Sequence, residues 1–167
     1  SSPHFYPEGE QISLIDITMD EENEPILAGH NDLFFYKPEA DKFARIPILT
    51  EKEKENPINL TKLCLVPDWG ILVGTDRAGL KFYDRHNRKT ETVIPDIQVR
   101  DIKQCSENTY WIASESGVYI LNMADRSITH LQKSLTNEYT ISDNAAYSIT
   151  KDREGGIWVT TFFGGIN

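Results

Sequence analysis

Six side chains with binding chemistry lie where a repeated pattern in this chain is broken. They stand in the short links that follow its most apolar segments. Aromatic faces stack on sugar rings, while carboxylates, imidazoles and guanidinium groups bond ring hydroxyls, so these types together suit a saccharide. The six candidates are His30, Asp76, Arg77, Glu115, Phe162 and Phe163. Arg77 also has the fork that clamps a carboxylate or sulfate. Taken singly, each is better explained as an ordinary surface or packing residue, and Trp69 and Tyr139, in other loops, are weaker candidates.

Catalytic and metal chemistry find less support. The four histidines fall at unrelated positions of the repeat, and no serine or cysteine stands in a nucleophile motif. Cys64 and Cys105 belong to no metal-ligand spacing, so neither a metal site nor a cofactor is predicted. Because the two cysteines differ in repeat position, we expect buried free thiols rather than a disulfide. With 26 Asp and Glu residues, a catalytic carboxylate pair stays open.

Composition and charge exclude several classes of partner. The 167 residues carry a formal net charge of −9, and no stretch gathers Lys and Arg into a stripe that would neutralise phosphates. Nucleic acid and membrane surfaces are therefore not expected partners. No run approaches the roughly 20 apolar residues of a membrane span, and residues 1–4 do not begin a signal peptide. Any targeting segment is expected to lie outside this sequence.

A motif that returns four times predicts the elements that position the candidates. Its clearest copy runs from residue 148 to residue 166, and earlier copies begin at residues 16, 62 and 101. The apolar positions that match best are spaced by 45, 39 and 47 residues, namely Leu27, Leu72, Trp111 and Trp158. Repeats of about 40 to 50 residues made of short strands are typical of propeller blades.

Each copy predicts a four-stranded antiparallel sheet. A polar turn containing Asn23 or Gly155, which tolerate positive φ, joins the first two strands. The second strand is an almost continuous apolar run, which suits a strand covered on both faces. One column of small residues after that run allows neighbouring sheets to approach closely, and it is predicted to hold Gly29, Gly74, Ala113 and Thr160. A glycine opens the third strand at Gly79, Gly117 and Gly165, with Asp32 in the first copy.

The predicted fold class is all-β, a propeller fragment of about three and a half four-stranded blades from a larger, seven-bladed ring. Residues 1–11 are expected to form an end strand or linker. The blades are expected at residues 12–48, 58–94 and 97–132, with an incomplete fourth at 144–167. The charged run at residues 51–55 is predicted to be a solvated loop.

Most repeat positions have architectural roles in this scheme. Trp111 and Trp158 are expected to pack between blades, and Asp20 and Asp152 to accept backbone hydrogen bonds in the first turn. The residues assigned to structure are Asp20, Gly29, Gly74, Gly79, Trp111, Gly117, Asp152, Gly155, Trp158 and Gly165. The functional candidates are therefore the loop residues that depart from the repeat.

These residues resemble the two-component regulator propeller repeat, with its Asp, its polar pair with Gly, its Ile-Trp-Ile-Gly-Thr strand and its Gly-Gly-Leu. The fourth copy matches at Ser148, Ile149, Asp152, Gly155, Ile157, Trp158, Thr161, Gly164, Gly165 and, conservatively, Ile166. The second and third copies depart from the pattern, because Val66 and Cys105 stand where the family has Asp. In the first copy His30 stands where the family favours Thr.

The resemblance implies a periplasmic sensor region of a hybrid two-component system from Bacteroides-type bacteria. Such regions precede a membrane helix and a histidine kinase, and their usual inputs are glycan-derived oligosaccharides. On this basis the chain is expected to be non-catalytic and to bind an oligosaccharide. The fourth copy reaches Asn167 as its third strand begins, so either further blades of the same sensor or a second copy of the chain are expected to complete the ring.

Two other classes of function stay open. The repeats suit a structural or protein-interaction scaffold, since most distinctive residues explain packing between repeats. A polysaccharide lyase or glycosidase built on a propeller is the third possibility.

Overall fold

The computed structural model describes residues 13–132, 146–161 and 165–166 as four antiparallel sheets. Each sheet keeps the chain order of its strands. The first sheet has strands β1 (Asp16–Met19), β2 (Pro25–Ala28), β3 (Asp32–Lys37) and β4 (Lys42–Pro47). The second has β5 (Leu60–Val66), β6 (Gly70–Thr75), β7 (Leu80–Asp84) and β8 (Lys89–Ile94). The third has β9 (Val99–Gln104), β10 (Thr109–Ser114), β11 (Gly117–Asn122) and β12 (Ile128–Leu131). The fourth has β13 (Ala146–Lys151), β14 (Ile157–Thr161) and β15 (Gly165–Ile166).

These sheets are propeller blades, which confirms the predicted all-β fold class of about three and a half blades. The first strands of successive blades contact one another, β1 with β5, β5 with β9 and β9 with β13. They therefore lie on the inner side, and each blade runs outward to its more hydrophilic fourth strand. The completion of the ring, by further blades or by a second copy, stays a prediction.

The core consists of three apolar layers, one at each junction between blades. Ile26 and Leu33 of the first blade pack with Ile71 and Val73 of the second. Further along, Leu72 and Phe82 pack with Tyr110 and Ile112, and the third layer joins Ala113 and Val118 to Ile149 and Val159. Alternate residues of each second strand thus face opposite neighbours, as the near-continuous apolar runs require. Full burial of each such aliphatic side chain stabilises the fold by about 1.5–3 kcal/mol.

The strand register corrects one column of the repeat. Ala28 pairs with Asp16, Gly74 with Lys62, Ala113 with Asp101 and Thr160 with Ser148. Ala28 is therefore the residue equivalent to Gly74, and the expectation that Gly29 shares this column is wrong by one residue. Gly29 instead lies in the following link, where its amide donates to the Asp32 carbonyl at 2.9 Å. By the same count Ile26, not Leu27, matches Leu72.

Close packing between blades explains why small residues occupy this column. A Cβ atom on Gly74 would lie 2.4 Å from Cγ1 of Val99, in the next blade. Gly79 and Gly117 open their third strands with φ of +77° and +118°, the left-handed region that glycine favours. Asp32, at the same place in the first blade, is not among the described residues with positive φ; it is buried and bonds Arg45 at 2.8 Å.

The turn aspartates of the repeat accept backbone amides, and the one in the fourth blade also contacts a tryptophan of the repeat. Oδ1 of Asp152 accepts the amides of Glu154 and Gly156 at 3.0 and 2.6 Å, and Asp20 accepts two turn amides in the same way. Nε1 of Trp158 donates to Oδ2 of Asp152 at 2.9 Å. That indole bond, followed by the amide bonds, lowers the pKa of Asp152. Trp111 packs toward the fourth blade, whereas Trp158 is 48% exposed.

The charged run between the first two blades is not simply a solvated loop. It forms a single helical turn, α1 (Glu51–Lys54), closed by a capping box between Thr50 and Glu53. Glu53 also pairs at 3.0 Å with Lys81, a β7 lysine that is only 3% exposed and donates to Thr92. Burial opposes ionisation of Glu53, but the bonds from Thr50 and Lys81 outweigh it and lower its pKa. The prediction missed this bond because the paired residues are distant in sequence.

Candidate functional site

Among the described residues, the predicted binding residues His30, Asp76, Arg77 and Glu115 lie on one rim, which we call the link rim. It carries the links between second and third strands together with the loops between blades. The two sets touch, because the Leu60 amide donates to the His30 carbonyl at 2.7 Å and the Gln98 amide donates to Glu115 at 2.7 Å. The structure thus places the links and interblade loops on a common rim.

On the link rim, most candidate side chains hold the loops together. His30 Nδ1 lies 3.1 Å from Oδ1 of Asn59, and Asp76 accepts the Asn59 amide at 2.9 Å. Asn59 therefore brings His30 and Asp76 together. At the next junction between blades, Glu115 accepts the Gln98 amide. Arg77 is exposed and borders an open depression of about 410 Å³ beside α1. Phe162, Phe163 and Tyr139 lie outside the described residues, so the binding role of this rim stays a prediction.

The opposite rim, here called the turn rim, contains a deeper feature. It carries the turns between first and second strands and between third and fourth strands. A cavity of about 600 Å³ lies there between the second and third blades. Its lining includes Asp68, Trp69, Phe82, Asn108, Met123 and Arg126. We call it the Trp69 cleft, and its volume is within the range of about 300–1,000 Å³ usual for ligand pockets.

Trp69 gives this cleft an exposed aromatic face. Its side chain is 60% exposed and sits in the β5–β6 turn. Asp68, the preceding residue of this turn, has a left-handed backbone conformation with φ of +68°. The ring of His86 meets the indole edge-on at 5.4 Å, and Nε2 of His86 lies 2.6 Å from the Asp68 carbonyl. The turn from the neighbouring hairpin therefore supports the indole from one side.

A glutamate of the first blade braces the same turn. Oε1 of Glu21 accepts the Asp68 amide at 2.7 Å, and its Oε2 accepts Nη1 of Arg85 at 3.2 Å. One carboxylate thus ties the Trp69 turn to the hairpin that carries His86. Such preorganisation reduces the entropic cost of binding.

The cleft has an apolar floor, and polar side chains lie around it nearer to the solvent. Phe82, 1% exposed, forms part of the floor, and the Arg126 guanidinium lies 4.9 Å from its ring centre while pairing with Glu91 at 3.1 Å. Within the described residues, the side chains of Asp68 and Asn108 have no hydrogen-bond partner. An exposed indole beside a free carboxylate and a free amide is the combination that binds a polyhydroxylated ring.

Trp69 could have been found from the sequence. Counting from the start of each copy, it occupies the turn column that holds Asn23, Asn108 and Gly155 elsewhere. A large aromatic residue there breaks the repeat as clearly as the link residues do. Because Trp69 lies in a turn and not in a link between second and third strands, the sequence prediction makes it only a weaker candidate.

The cysteines form no disulfide in the part of the chain that the structure describes. Cys64 and Cys105 are both free and half-buried. Burial raises the pKa of Cys64 to about 11, so it is a protonated thiol at neutral pH. Among residues 13–132, 146–161 and 165–166, no group of three or more His, Cys, Asp or Glu is placed to hold a metal ion. None of the described helices is long and apolar enough to cross a membrane.

Comparison with known proteins identifies the repeat and the fold. Residues 140–163 match the two component regulator propeller family. The extracellular domain assigned to a hybrid two component system of B. thetaiotaomicron superposes with a TM-score of 0.76 at 18% identity, over 92% of this chain and 21% of that one. This chain thus spans about a fifth of that domain. No curated protein matches the chain in sequence.

Other propellers with different tasks also superpose. A virginiamycin B lyase from Staphylococcus aureus gives a TM-score of 0.70 at 13% identity, over 96% of this chain and 56% of that one. An auxiliary nutrient binding protein from Bacteroides thetaiotaomicron gives 0.64 at 12% identity, over 89% of this chain and 36% of that one. At these identities the likeness concerns the fold.

Proposed function

We propose that this chain, which carries a repeat of the two component regulator propeller family at residues 140–163, is a ligand-binding segment of the periplasmic sensor region of a hybrid two-component regulator. The family match and the superposition on an extracellular domain of such a system support this assignment. The parent protein would then carry a histidine kinase, and this segment would be non-catalytic. A sensor needs only a ligand that binds two receptor states with different affinity.

The Trp69 cleft is the observation that carries the binding proposal. It joins the turns of two neighbouring blades, so a ligand in it contacts both. Trp69 offers a stacking face, while Asp68 and Asn108 offer acceptors and donors for hydroxyls. We therefore assign an oligosaccharide as the ligand class. Because a bound sugar bridges the blades, it would favour one of their relative arrangements.

Titration calorimetry with neutral hexasaccharides of glucan, xylan and mannan tests this proposal. At least one is expected to bind, and Trp69→Ala should weaken that binding by about ten- to a hundredfold, since truncating an aromatic hot-spot residue costs about 2 kcal/mol or more. Arg77→Ala, an exposed change on the link rim, serves as the control and should leave the affinity unaltered. Binding that depends on Arg77 and not on Trp69 would move the site to the link rim.

A scaffold role is the second candidate, because His30, Asp76 and Glu115 are engaged in bonds that hold loops. This alternative predicts that Trp69→Ala folds normally and leaves signalling by the full receptor unchanged. An enzymatic role predicts bond cleavage when the hexasaccharides are incubated with the chain. Loss of cleavage in Asp68→Asn with stability retained would support the enzyme and overturn the sensor proposal.

A further inference from the structure

A second cleft on the turn rim repeats the first one at the junction of the first and second blades. It has a volume of about 320 Å³, and its lining includes Phe35, Lys37, Tyr83, Arg85 and Arg88. By strand register, Phe35 stands where Phe82 stands in the Trp69 cleft. Arg88 likewise stands where Arg126 stands one blade further on. We call this feature the Arg88 cleft.

The two equivalent arginines differ in their partners. Arg126 pairs with Glu91 at 3.1 Å and lies over the Phe82 ring. Arg88 has no ion pair or ring contact within the described residues. Both have the same backbone conformation, with φ of +64° for Arg126 and +59° for Arg88. The lack of a partner for Arg88 is therefore due to the side chains around it, since the turns that carry the two arginines have the same backbone conformation.

The turn that presents Arg88 is well fixed. The Arg88 amide donates to the Asp84 carbonyl at 2.8 Å. Oδ1 of Asp84 accepts the amides of His86 and Asn87 at 2.8 and 3.2 Å. The guanidinium thus projects from a preformed loop, which limits the entropy lost when it binds a ligand.

Further positive charge gathers at this cleft although the chain carries a net charge of −9. Arg85 is compensated by Glu21 at 3.2 Å and Asp20 at 3.6 Å. Lys37 has no acidic partner within the described residues, and it lies directly opposite Lys42 in the β3–β4 register. Like charges at opposed positions destabilise a sheet. An anion between these side chains and Arg88 would relieve that repulsion.

We infer that the Arg88 cleft binds a carboxylate or sulfate group carried by the same oligosaccharide that stacks on Trp69. This inference rests on the proposed function. The hairpin turn at residues 84–88 separates the clefts, with His86 touching Trp69 on one side and Arg88 bordering the second cleft on the other. A single saccharide chain crossing this turn reaches both. The guanidinium grips the oxyanion with two parallel hydrogen bonds, and the Lys37 ammonium adds a point charge.

Matched oligosaccharides provide the test. Calorimetry compares a neutral hexasaccharide with an oligogalacturonate, which carries carboxylates, and with a sulfated oligosaccharide, which carries sulfate esters. At least one acidic ligand is expected to bind more tightly than the neutral one, and its affinity should fall as sodium chloride is added. Whichever acidic ligand binds more tightly, the oligogalacturonate or the sulfated oligosaccharide, shows whether the cleft prefers a carboxylate or a sulfate.

The double variant Lys37→Gln with Arg88→Gln should lower the affinity for the preferred acidic ligand about tenfold and leave neutral binding unchanged. Arg153→Gln removes another exposed turn arginine, in the fourth blade, and should have no effect. The inference would be overturned, and the proposed function would stand, if acidic ligands bound no better than neutral ones. The same holds if the double variant and Arg153→Gln had equal effects on the affinity. Failure of every saccharide to bind would overturn both.

Discussion

Replacing Asp101 by alanine should weaken the junction between the third and fourth blades. Oδ2 of Asp101 accepts the Ile149 amide of the next blade at 2.8 Å, and its side chain is 17% exposed. Asp16 of the first blade makes the same bond to the Leu63 amide of the second blade at 2.8 Å, two junctions earlier. A carboxylate on the first strand of one blade therefore bonds a backbone amide of the next blade at both of these junctions.

The expected loss of unfolding free energy follows from that geometry. A hydrogen bond to a charged group contributes about 1.5–3 kcal/mol, and its removal leaves the Ile149 amide without this acceptor. The ion pair from Lys62, at 3.8 Å and partly exposed, adds little, and Lys62 keeps Asp16 at 4.0 Å. We therefore expect a loss of about 2 kcal/mol. For a chain of this size that corresponds to a fall in Tm of about 4–8 °C.

Urea denaturation and hydrogen exchange of the Ile149 amide measure this effect. Asp101→Asn should recover part of the stability, because its amide oxygen still accepts the hydrogen bond. Asp125→Ala is the control, since Asp125 accepts an amide only within its own turn and should matter less. The prediction would be wrong if Asp101→Ala lowered the unfolding free energy no more than Asp125→Ala does and the Ile149 amide stayed protected from exchange. The hydrogen bond from Ile149 to Asp101 would then not stabilise the junction between the blades.

Three other changes have defined outcomes. Gly74→Ala should cost about 1–3 kcal/mol in urea unfolding, because the added Cβ would meet Val99 of the next blade at 2.4 Å; a neutral result would contradict the close approach of the blades. Tyr110→Phe should raise the unfolding free energy by about 1 kcal/mol, since the buried hydroxyl of Tyr110 has no hydrogen-bond partner among the described residues; a large loss would reveal such a partner. Glu53→Gln should destabilise the chain at neutral pH and lose its effect in acid. The pKa of Glu53 is lowered by folding, so its contribution is complete above the ordinary value of 4.5 and disappears as the pH falls through the lowered one; an effect independent of pH would refute the ion pair with Lys81.

Local patterns were enough to predict the blades. The apolar runs, the turn residues and the period of the copies are all read within a few residues, so the strand order follows directly. Gly29 was misplaced because it was matched by residue type, whereas strand register depends on the count from the start of each copy. The glycine at Gly74 was correctly placed because its neighbours lie in a regular strand.

The site was harder to predict, because clefts and ion pairs join residues from different blades. Nothing near Lys81 in sequence shows that Glu53 will neutralise it in the interior. The Trp69 cleft likewise forms only when the turns of two blades meet, so a single copy cannot show on which rim the cavity lies. What the sequence does show is that Trp69 departs from its column.

A crystal structure of the chain soaked with the tightest-binding hexasaccharide would locate the binding site. We expect a sugar ring stacked on Trp69 between the second and third blades, with hydroxyls bonded to Asp68 and Asn108. A sugar bound instead on the link rim, beside His30, Asp76 and Arg77, would contradict it.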